Sequence, residues 1–287
     1  MLKQPQIEHF QRFCLSAQRF DLIYASEQSI YQKTKVEILE RAEQMGSNSR
    51  TALTQFGYRD PISERFIHLD TTHDTLKNEL KLLEVGNNKK LSWLLVDLYE
   101  EFLDFVKSHY VYSLELNPNL WPIVECETRE LDEVKSTEIF TLKRKGDTNP
   151  KGLSKQLEKV INCLHEKNPN MENLQKIGLC NVSEFKFYAF FIQTLINSIC
   201  HDSGIVKTPI NKYIKRIIDK DKEASESQKK EHEKFAKSYF REINGTWHIY
   251  MQDISLYDPA EGSRTVTRYP LLLDRLLSYS HILCQHT

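Results

Sequence analysis

Apolar side chains recur every three or four residues through most of the chain, which is the period of an α-helix with one buried face. The first fifty residues carry such a stripe, and we expect helix there in two stretches, the second over residues 28–45. The segment Gly46-Ser47-Asn48-Ser49 suits a turn and predicts where the second stretch ends. The stripe consists of Ile7, Phe10, Cys14, Ala17, Asp21 and Tyr24.

Two apolar stripes, each with alternating spacings of four and three residues, lie on either side of Gly86-Asn87-Asn88. Because glycine readily takes the left-handed conformation that closes a helix, this pattern predicts an antiparallel helical hairpin that turns at Gly86. The first stripe is Ile62, Phe66, Leu69, His73, Leu76, Leu80 and Leu83. The second is Leu91, Leu95, Leu98, Phe102, Phe105, His109 and Tyr112.

The middle of the chain is harder to assign. Asn117-Pro118-Asn119 and Trp121-Pro122 predict a break, and residues 123–150 are charged and only weakly alternating, with a short strand expected near residues 139–143. A helix is expected over residues 153–164. Residues 120–180 are therefore interpreted as an insertion or a connector.

The most apolar segment runs from Phe185 to Cys200, after Ser183 and Glu184, which suit a helix cap and first turn. A helix apolar on nearly every side is expected at the centre of a bundle. The polar run His201-Asp202-Ser203-Gly204 predicts its end. Thr208 and Pro209 then predict the cap and first residue of another helix.

The last third combines charged, β and helical patterns. Residues 219–234 are almost wholly charged or polar, which indicates a solvated helix or a loop. The dipeptide Asn244-Gly245 between two apolar runs predicts a β-hairpin with a type I′ turn. A final helix is expected from near Pro270, with Leu272, Leu276, Tyr279 and Leu283 facing inward. The predicted fold class is mostly α, a helical bundle with one small hairpin.

Composition narrows the class of protein. Hydrophobic residues make up 40% and charged residues 28% of the chain, and no apolar run is long enough to span a bilayer. The first residues lack an apolar signal core, so we expect a cytoplasmic protein whose six scattered cysteines are free or buried thiols. The net charge of −1 predicts that any contact with nucleic acid is local.

No cofactor or metal is expected. Gly-x-Gly-x-x-Gly, Walker-type and Gly-x-Ser-x-Gly motifs do not occur in the sequence. His68, Asp70, His73 and Asp74 have the composition of a metal site. On a helix, however, two histidines five residues apart point roughly 140° from each other, so a surface role is preferred.

The segment Asn197 to Val206 ends the most apolar helix with a polar cluster and a glycine. It resembles the HEPN family, whose motif is an arginine, often followed by asparagine, then three residues and a histidine. His201 matches the histidine and Asn197 the asparagine, and Asp202 to Val206 continue in the family's manner. Ile196 stands at the arginine's position. The resemblance covers about residues 60–115 and 183–287.

This resemblance implies a homodimer that cleaves RNA without a metal. The histidine would transfer the proton of the 2′-hydroxyl or of the leaving oxygen, and the arginine would stabilise charge on the phosphorane. With Ile196 in place, Lys207 or Arg216 would have to supply that charge. The alternatives are a catalytic His201, a motif position kept in a degenerate member, and a histidine that only interacts with helix-end carbonyls.

Basic residues follow the motif closely. Lys207, Lys212, Lys215 and Arg216, with the aromatic Tyr213, would contact phosphates and stack a base of RNA, although a solvated helix face has the same composition. Two further pairs, Arg275 with His281 and Arg241 with His248, fit the family's loose spacing, but about as many are expected by chance from composition.

Two functions follow from these observations. The first is an RNA-directed, HEPN-like protein, a metal-independent ribonuclease acting as a toxin or abortive-infection and defence effector, with His201 and Asn197 as catalytic residues. The second is a catalytically degenerate scaffold for dimerisation or for binding a protein partner, with no membrane association. The predicted domains are a helical extension over residues 1–60 and a HEPN-like domain over residues 61–287, with the insertion at about 120–180.

Overall fold

A computed structural model describes residues 4–52, 57–59, 66–68, 73–116, 161, 164, 182–219, 224–252, 254–258 and 262–286. The helices are α1 (Gln4–Met45), α2 (Leu76–Leu116), α3 (Val182–Asp202), α4 (Ile210–Ile218), α5 (Glu226–Lys237) and α6 (Arg268–His286). The strands are β1 (Arg50–Ala52), β2 (Gly57–Arg59), β3 (Phe66–His68), β4 (His73–Thr75), β5 (Ile205–Val206), β6 (Phe240–Ile243), β7 (Thr246–Ile249), β8 (Ile254–Asp258) and β9 (Gly262–Val266). The predicted mostly-α class is confirmed. Within these ranges, no helix combines the length and the apolar character that crossing a bilayer requires.

The chain divides into two compact units, one of Met1–Asp21 with Ser92–Thr287 and one of Leu22–Leu91. In the second unit the later part of α1 runs antiparallel to the start of α2. Ion pairs mark this register, since Arg41 Nη2 lies 2.7 Å from Glu79 Oε1 and Lys90 Nζ lies 2.6 Å from Glu27 Oε2. Between the helices, β1 pairs with β4 and β2 with β3, both antiparallel.

The predicted helical hairpin at Gly86 is wrong. Helix α2 continues through Gly86, and β3 and β4 occupy part of the stretch that the first stripe assigned to helix. A glycine inside a helix costs only about 1 kcal/mol, whereas Leu91, Leu95 and Leu98 beyond it are fully buried on the same helix. The glycine that does close a helix is Gly46, which follows α1 with a φ of 86°.

In the first unit, the apolar residues of α2 that follow Gly86 pack against α1. The sequence predicted that they would pack against the apolar residues that precede Gly86. The ring of Phe13 lies 6.0 Å from that of Phe102 and 5.6 Å from that of Phe105, measured between centroids. Ser16 Oγ donates a 3.0 Å hydrogen bond to Glu101 Oε2. α1 and α2 are therefore antiparallel neighbours, with long aromatic side chains filling the space between them.

Helix α3 lies at the centre of the first unit, as its all-round apolar character predicts. It contacts α6 through Phe185, whose ring stacks 5.9 Å from that of Tyr279, and α2 through Ala189, whose carbonyl accepts the Tyr99 hydroxyl. It contacts α5 through Phe187, whose ring is parallel to that of His232 at 3.9 Å. The buried side chains of α3 include Phe187, Ala189, Phe190, Phe191, Ile192, Leu195 and Ile199.

A three-stranded antiparallel sheet in the order β5-β7-β6 follows α3. The predicted hairpin is confirmed as β6 and β7, and its turn residues have the positive φ of a type I′ turn, 51° at Asn244 and 76° at Gly245. Sequence reasoning did not foresee that β5 joins this hairpin, nor the second hairpin formed by β8 and β9.

The remaining helices follow their sequence signals closely. In α4 the cap is Pro209, one residue later than predicted, and Ile214, Ile217 and Ile218 are buried. In the charged segment, Ser225 forms a capping box with Gln228 and opens α5. The final helix α6 buries Leu272, Leu276, Tyr279 and Leu283, as predicted. The expected strand near residues 139–143 lies outside the described residues, and of the helix expected over residues 153–164 only Ile161 and Leu164, both helical and buried, are described.

Candidate functional site at the end of helix α3

The last turn of α3 leads into the sheet through two residues in the left-handed conformation, Ser203 with a φ of 54° and Gly204 with a φ of 77°. Gly204 N–H donates a 2.9 Å hydrogen bond to Ser198 O, and Gly204 O accepts one of 2.8 Å from Ile249 N–H. The buried helix and the sheet are thus joined directly by backbone hydrogen bonds. The predicted end of the helix at His201 to Gly204 is confirmed.

His201 and Asn197 lie one helical turn apart on α3, and both are exposed. Because residues four apart share a helix face, the imidazole and the carboxamide belong to the same solvent-facing surface. Within the described residues, the side chain of His201 makes no hydrogen bond or ion pair, including none to a carbonyl at the helix end. Ile196 is half-buried beside them.

Tyr213 holds α4 against the last two turns of α3. Its hydroxyl donates a 3.0 Å hydrogen bond to Thr194 O and lies 2.7 Å from Ser198 Oγ, and its ring meets that of Phe240 edge-on at 5.6 Å. Burial raises the pKa of Tyr213 to about 12, so the hydroxyl stays protonated at neutral pH. These contacts give Tyr213 a role in positioning α4 against the motif, and the base stacking inferred from sequence stays a prediction.

Lys207, the first basic residue after the motif, forms an ion pair with Asp202. The ammonium group therefore lies next to the helix end that carries His201, but an adjacent carboxylate offsets its charge. Since 70% of the lysine side chain is exposed, the pair is solvent-screened and contributes little to stability. A phosphate arriving at this point would compete with Asp202 for Lys207.

The basic residues of α4 face solvent together. Lys212, Lys215 and Arg216 are exposed, whereas Ile214 and Ile217 anchor the opposite side of the same short helix. All three cations therefore lie on the helix that Tyr213 holds against the end of α3. These exposed cations offer phosphate groups a positive surface on α4.

Of the two further arginine–histidine pairs, one is separated and one is brought together. On α6, the Arg275 guanidinium lies over the Tyr188 ring at 5.1 Å, while the His281 ring contacts Phe10 at 5.6 Å, so the two groups serve different neighbours. Arg241 and His248, in contrast, are direct cross-strand partners in the β6–β7 hairpin. Sequence reasoning dismissed this pair as chance, although the Asn244-Gly245 turn fixes a register in which these residues oppose each other.

Three cysteines and two histidines bear on thiol and metal chemistry. Cys14, Cys200 and Cys284 are free, as predicted for these three residues. Cys200 is exposed as a residue, but partial burial of its thiol and, second, the nearby Glu100 raise the pKa of that thiol. The raised pKa disfavours a reactive thiolate. His68 and His73 lie on β3 and β4, so the argument that a helix would point them apart does not apply. Among the described residues, no three His, Cys, Asp or Glu side chains are grouped closely enough to hold a metal ion.

No family model, curated protein or solved structure matches this chain. The resemblance to the HEPN family stays a prediction from the sequence.

Proposed function

We propose that the chain is an RNA-directed, HEPN-like protein that binds single-stranded RNA across the exposed end of α3 and the basic face of α4. The observation that carries the proposal is that His201 and Asn197 share one exposed face of α3, while Lys212, Lys215 and Arg216 are exposed on α4, which Tyr213 joins to α3 by hydrogen bonds. Local positive charge next to an imidazole is what a phosphodiester requires for binding and for proton transfer.

In the proposed reaction, the His201 imidazole transfers the proton of the 2′-hydroxyl or of the leaving 5′-oxygen. An imidazole titrates near neutrality and can serve as base or acid. Asn197, one turn earlier on the same face, would hold the scissile phosphate by its carboxamide N–H groups. Lys207, released from Asp202 by the incoming phosphate, is a candidate for stabilising the developing negative charge.

The test is incubation of the purified full chain with a fluorescently labelled RNA oligonucleotide in EDTA. Cleavage that His201→Ala abolishes supports the proposal, with His281→Ala as a control because that histidine is also exposed but lies on α6. Absence of cleavage, or cleavage that His201→Ala leaves unchanged, would overturn the catalytic proposal. Ile196→Arg should raise the cleavage rate by about 10²–10³, the usual effect of one transition-state charge partner.

RNA binding without cleavage is tested separately. Replacing both Lys212 and Lys215 with Gln should weaken binding in fluorescence anisotropy and reduce its salt dependence by about two phosphate contacts. A matched double replacement of Lys33 and Lys89, which are exposed on α1 and α2, should leave binding unchanged. Equal binding by all three proteins would refute an RNA-binding surface on α4.

The second candidate function is a non-catalytic scaffold that dimerises or binds a protein partner. It is favoured by the half-buried Ile196 in the arginine's place and by exposed apolar side chains on the second unit. These side chains are Leu22, Ile23, Ile30, Val36, Leu39, Met45, Leu82 and Val85. Sedimentation of the wild-type chain tests it: a dimer that Leu22→Glu with Val36→Glu converts to monomer supports this function, and a wild-type monomer opposes self-association.

A further inference from the structure

One face of the β5-β7-β6 sheet carries an arginine and a histidine side by side. Arg241 opposes His248, and His248 opposes Ile205, so all three belong to the same face because cross-strand partners point the same way. The other face is the buried one, since Val206, Ile249 and Phe240 lie in the core. Arg241 is exposed and His248 is partly exposed on the outward face.

The Arg241 guanidinium is held in place by Tyr250. Its Cζ lies 5.2 Å from the centre of the Tyr250 ring, and Nη1 donates a 3.3 Å hydrogen bond to Tyr250 Oη. The ring is itself fixed, because Arg268 lies over it at 5.1 Å and donates a 2.8 Å hydrogen bond from Nη1 to Tyr250 O. The Tyr250 hydroxyl in turn donates to Gln252 Oε1 at 2.7 Å. Stacking of this kind orients a guanidinium in advance and lowers the entropy cost of binding a ligand.

We infer that this outward sheet face is a phosphate-binding site formed by Arg241 and His248. A guanidinium presents several N–H donors in a plane and binds phosphate oxygens in a bidentate manner, and an imidazole N–H adds a donor directed at another oxygen of the same group. Within the described residues, the side chain of His248 forms no hydrogen bond or ion pair, so its ring can accept this role.

The location of the site suggests which phosphate it holds. Strand β5, which pairs with the strand of His248, begins immediately after Gly204, and Gly204 O accepts the N–H of Ile249, the residue after His248. This inference rests on the proposed function: the sheet would hold a neighbouring phosphate of the same RNA strand whose scissile phosphate lies at His201. A free phosphate or pyrophosphate anion has the same chemistry and is the alternative source.

Titration of the full chain with inorganic pyrophosphate tests the site independently of RNA. The ring signals of His248, assigned in NMR spectra by comparison with His248→Gln, should shift on titration. Arg241→Gln should weaken the apparent affinity at least about tenfold, since a charge-assisted contact to phosphate is lost. Arg19→Gln, an exposed arginine on α1, is the matched control and should leave affinity unchanged. Unshifted His248 signals, or equal affinity in Arg241→Gln and Arg19→Gln, would overturn the inference.

A second arm distinguishes the source of the phosphate. RNA binding by anisotropy should weaken in Arg241→Gln, with the salt dependence reduced by about one phosphate contact. If pyrophosphate binding depends on Arg241 while RNA binding does not, the site takes a free phosphate anion and its assignment to the RNA strand is wrong. If RNA does not bind the wild-type chain at all, the proposed function fails and the pyrophosphate result still decides the site.

Discussion

His109 gives the sharpest pH prediction for the fold. Its side chain is 1% exposed on α2, and its ring stacks against that of Phe105 at 5.7 Å. Burial, with a smaller contribution from the nearby His9, lowers the pKa of His109 from 6.5 to about 4, while its hydrogen bond with the Leu283 backbone acts in the opposite direction. The folded protein therefore keeps this imidazole neutral where the unfolded chain protonates it.

The sign and size of the effect follow from this difference. Above pH 6.5 both states are neutral at His109 and the stability is fully present. As the pH falls from 6.5 towards about 4, only the unfolded state takes up the proton, so the free energy of unfolding decreases. The difference in pKa corresponds to roughly 3 kcal/mol over this interval, after which the residue adds no further loss.

Urea unfolding at several pH values between 7.5 and 4, followed by circular dichroism, measures the effect. His109→Gln should remove most of this 3 kcal/mol pH dependence, expressed as the difference between wild type and variant, since a carboxamide does not titrate. That variant should keep a smaller dependence of the free energy of unfolding on pH, because burial against Phe187 also lowers the pKa of His232. His281→Gln, at an exposed position on α6, is the control. Parallel pH profiles for wild type and His109→Gln would refute the reasoning.

Three substitutions test other features of the fold by urea unfolding. Arg268→Met should lower the free energy of unfolding by about 3 kcal/mol or more, because the buried guanidinium donates to the carbonyls of Ser238, Tyr250 and Gln252, which would lose a charged donor. Arg268→Lys should recover part of this stability. A loss below about 1 kcal/mol in Arg268→Met would contradict this role of the guanidinium. Gly86→Ala should stabilise the protein by up to about 1 kcal/mol, because α2 is helical there and an added methyl group meets no atom within 4 Å; destabilisation would indicate a turn. Gly204→Ala should destabilise it by about 1 kcal/mol or more, because its φ of 77° is unfavourable for alanine, and a neutral result would argue against the left-handed turn.

The elements set by local signals were predictable. The turn at Asn244-Gly245, the end of α3 at Gly204 and the inward face of α6 all follow from residues close together in sequence. The same turn even fixes Arg241 opposite His248, a consequence that sequence reasoning overlooked. The position of His201 at an exposed helix end was predictable for the same reason.

Elements that depend on distant partners were not predictable. The sequence around Gly86 predicts a turn, but glycine suits a helix end and, at small cost, also a helix interior. Only the packing of α2 on α1 decides between them. β5 is two residues long, and its pairing with β7 joins segments about forty residues apart, so no local pattern marks it. The anchoring of Tyr213 by Thr194 and Ser198 is likewise a contact between two helices, invisible in the composition that suggested an RNA-stacking aromatic.

The short connection between α3 and β5 has a mechanical consequence. Gly204 is hydrogen-bonded to Ser198 in α3 and to Ile249 in the hairpin. The end of α3 that carries His201 and the hairpin are therefore tightly connected. A ligand that tilts the β6–β7 hairpin would therefore also move the final turn of α3. Phosphate bound at Arg241 and His248 would in this way change the orientation of the His201 side chain. Lengthening this link by inserting glycines after Gly204 should uncouple the two without removing a single functional side chain.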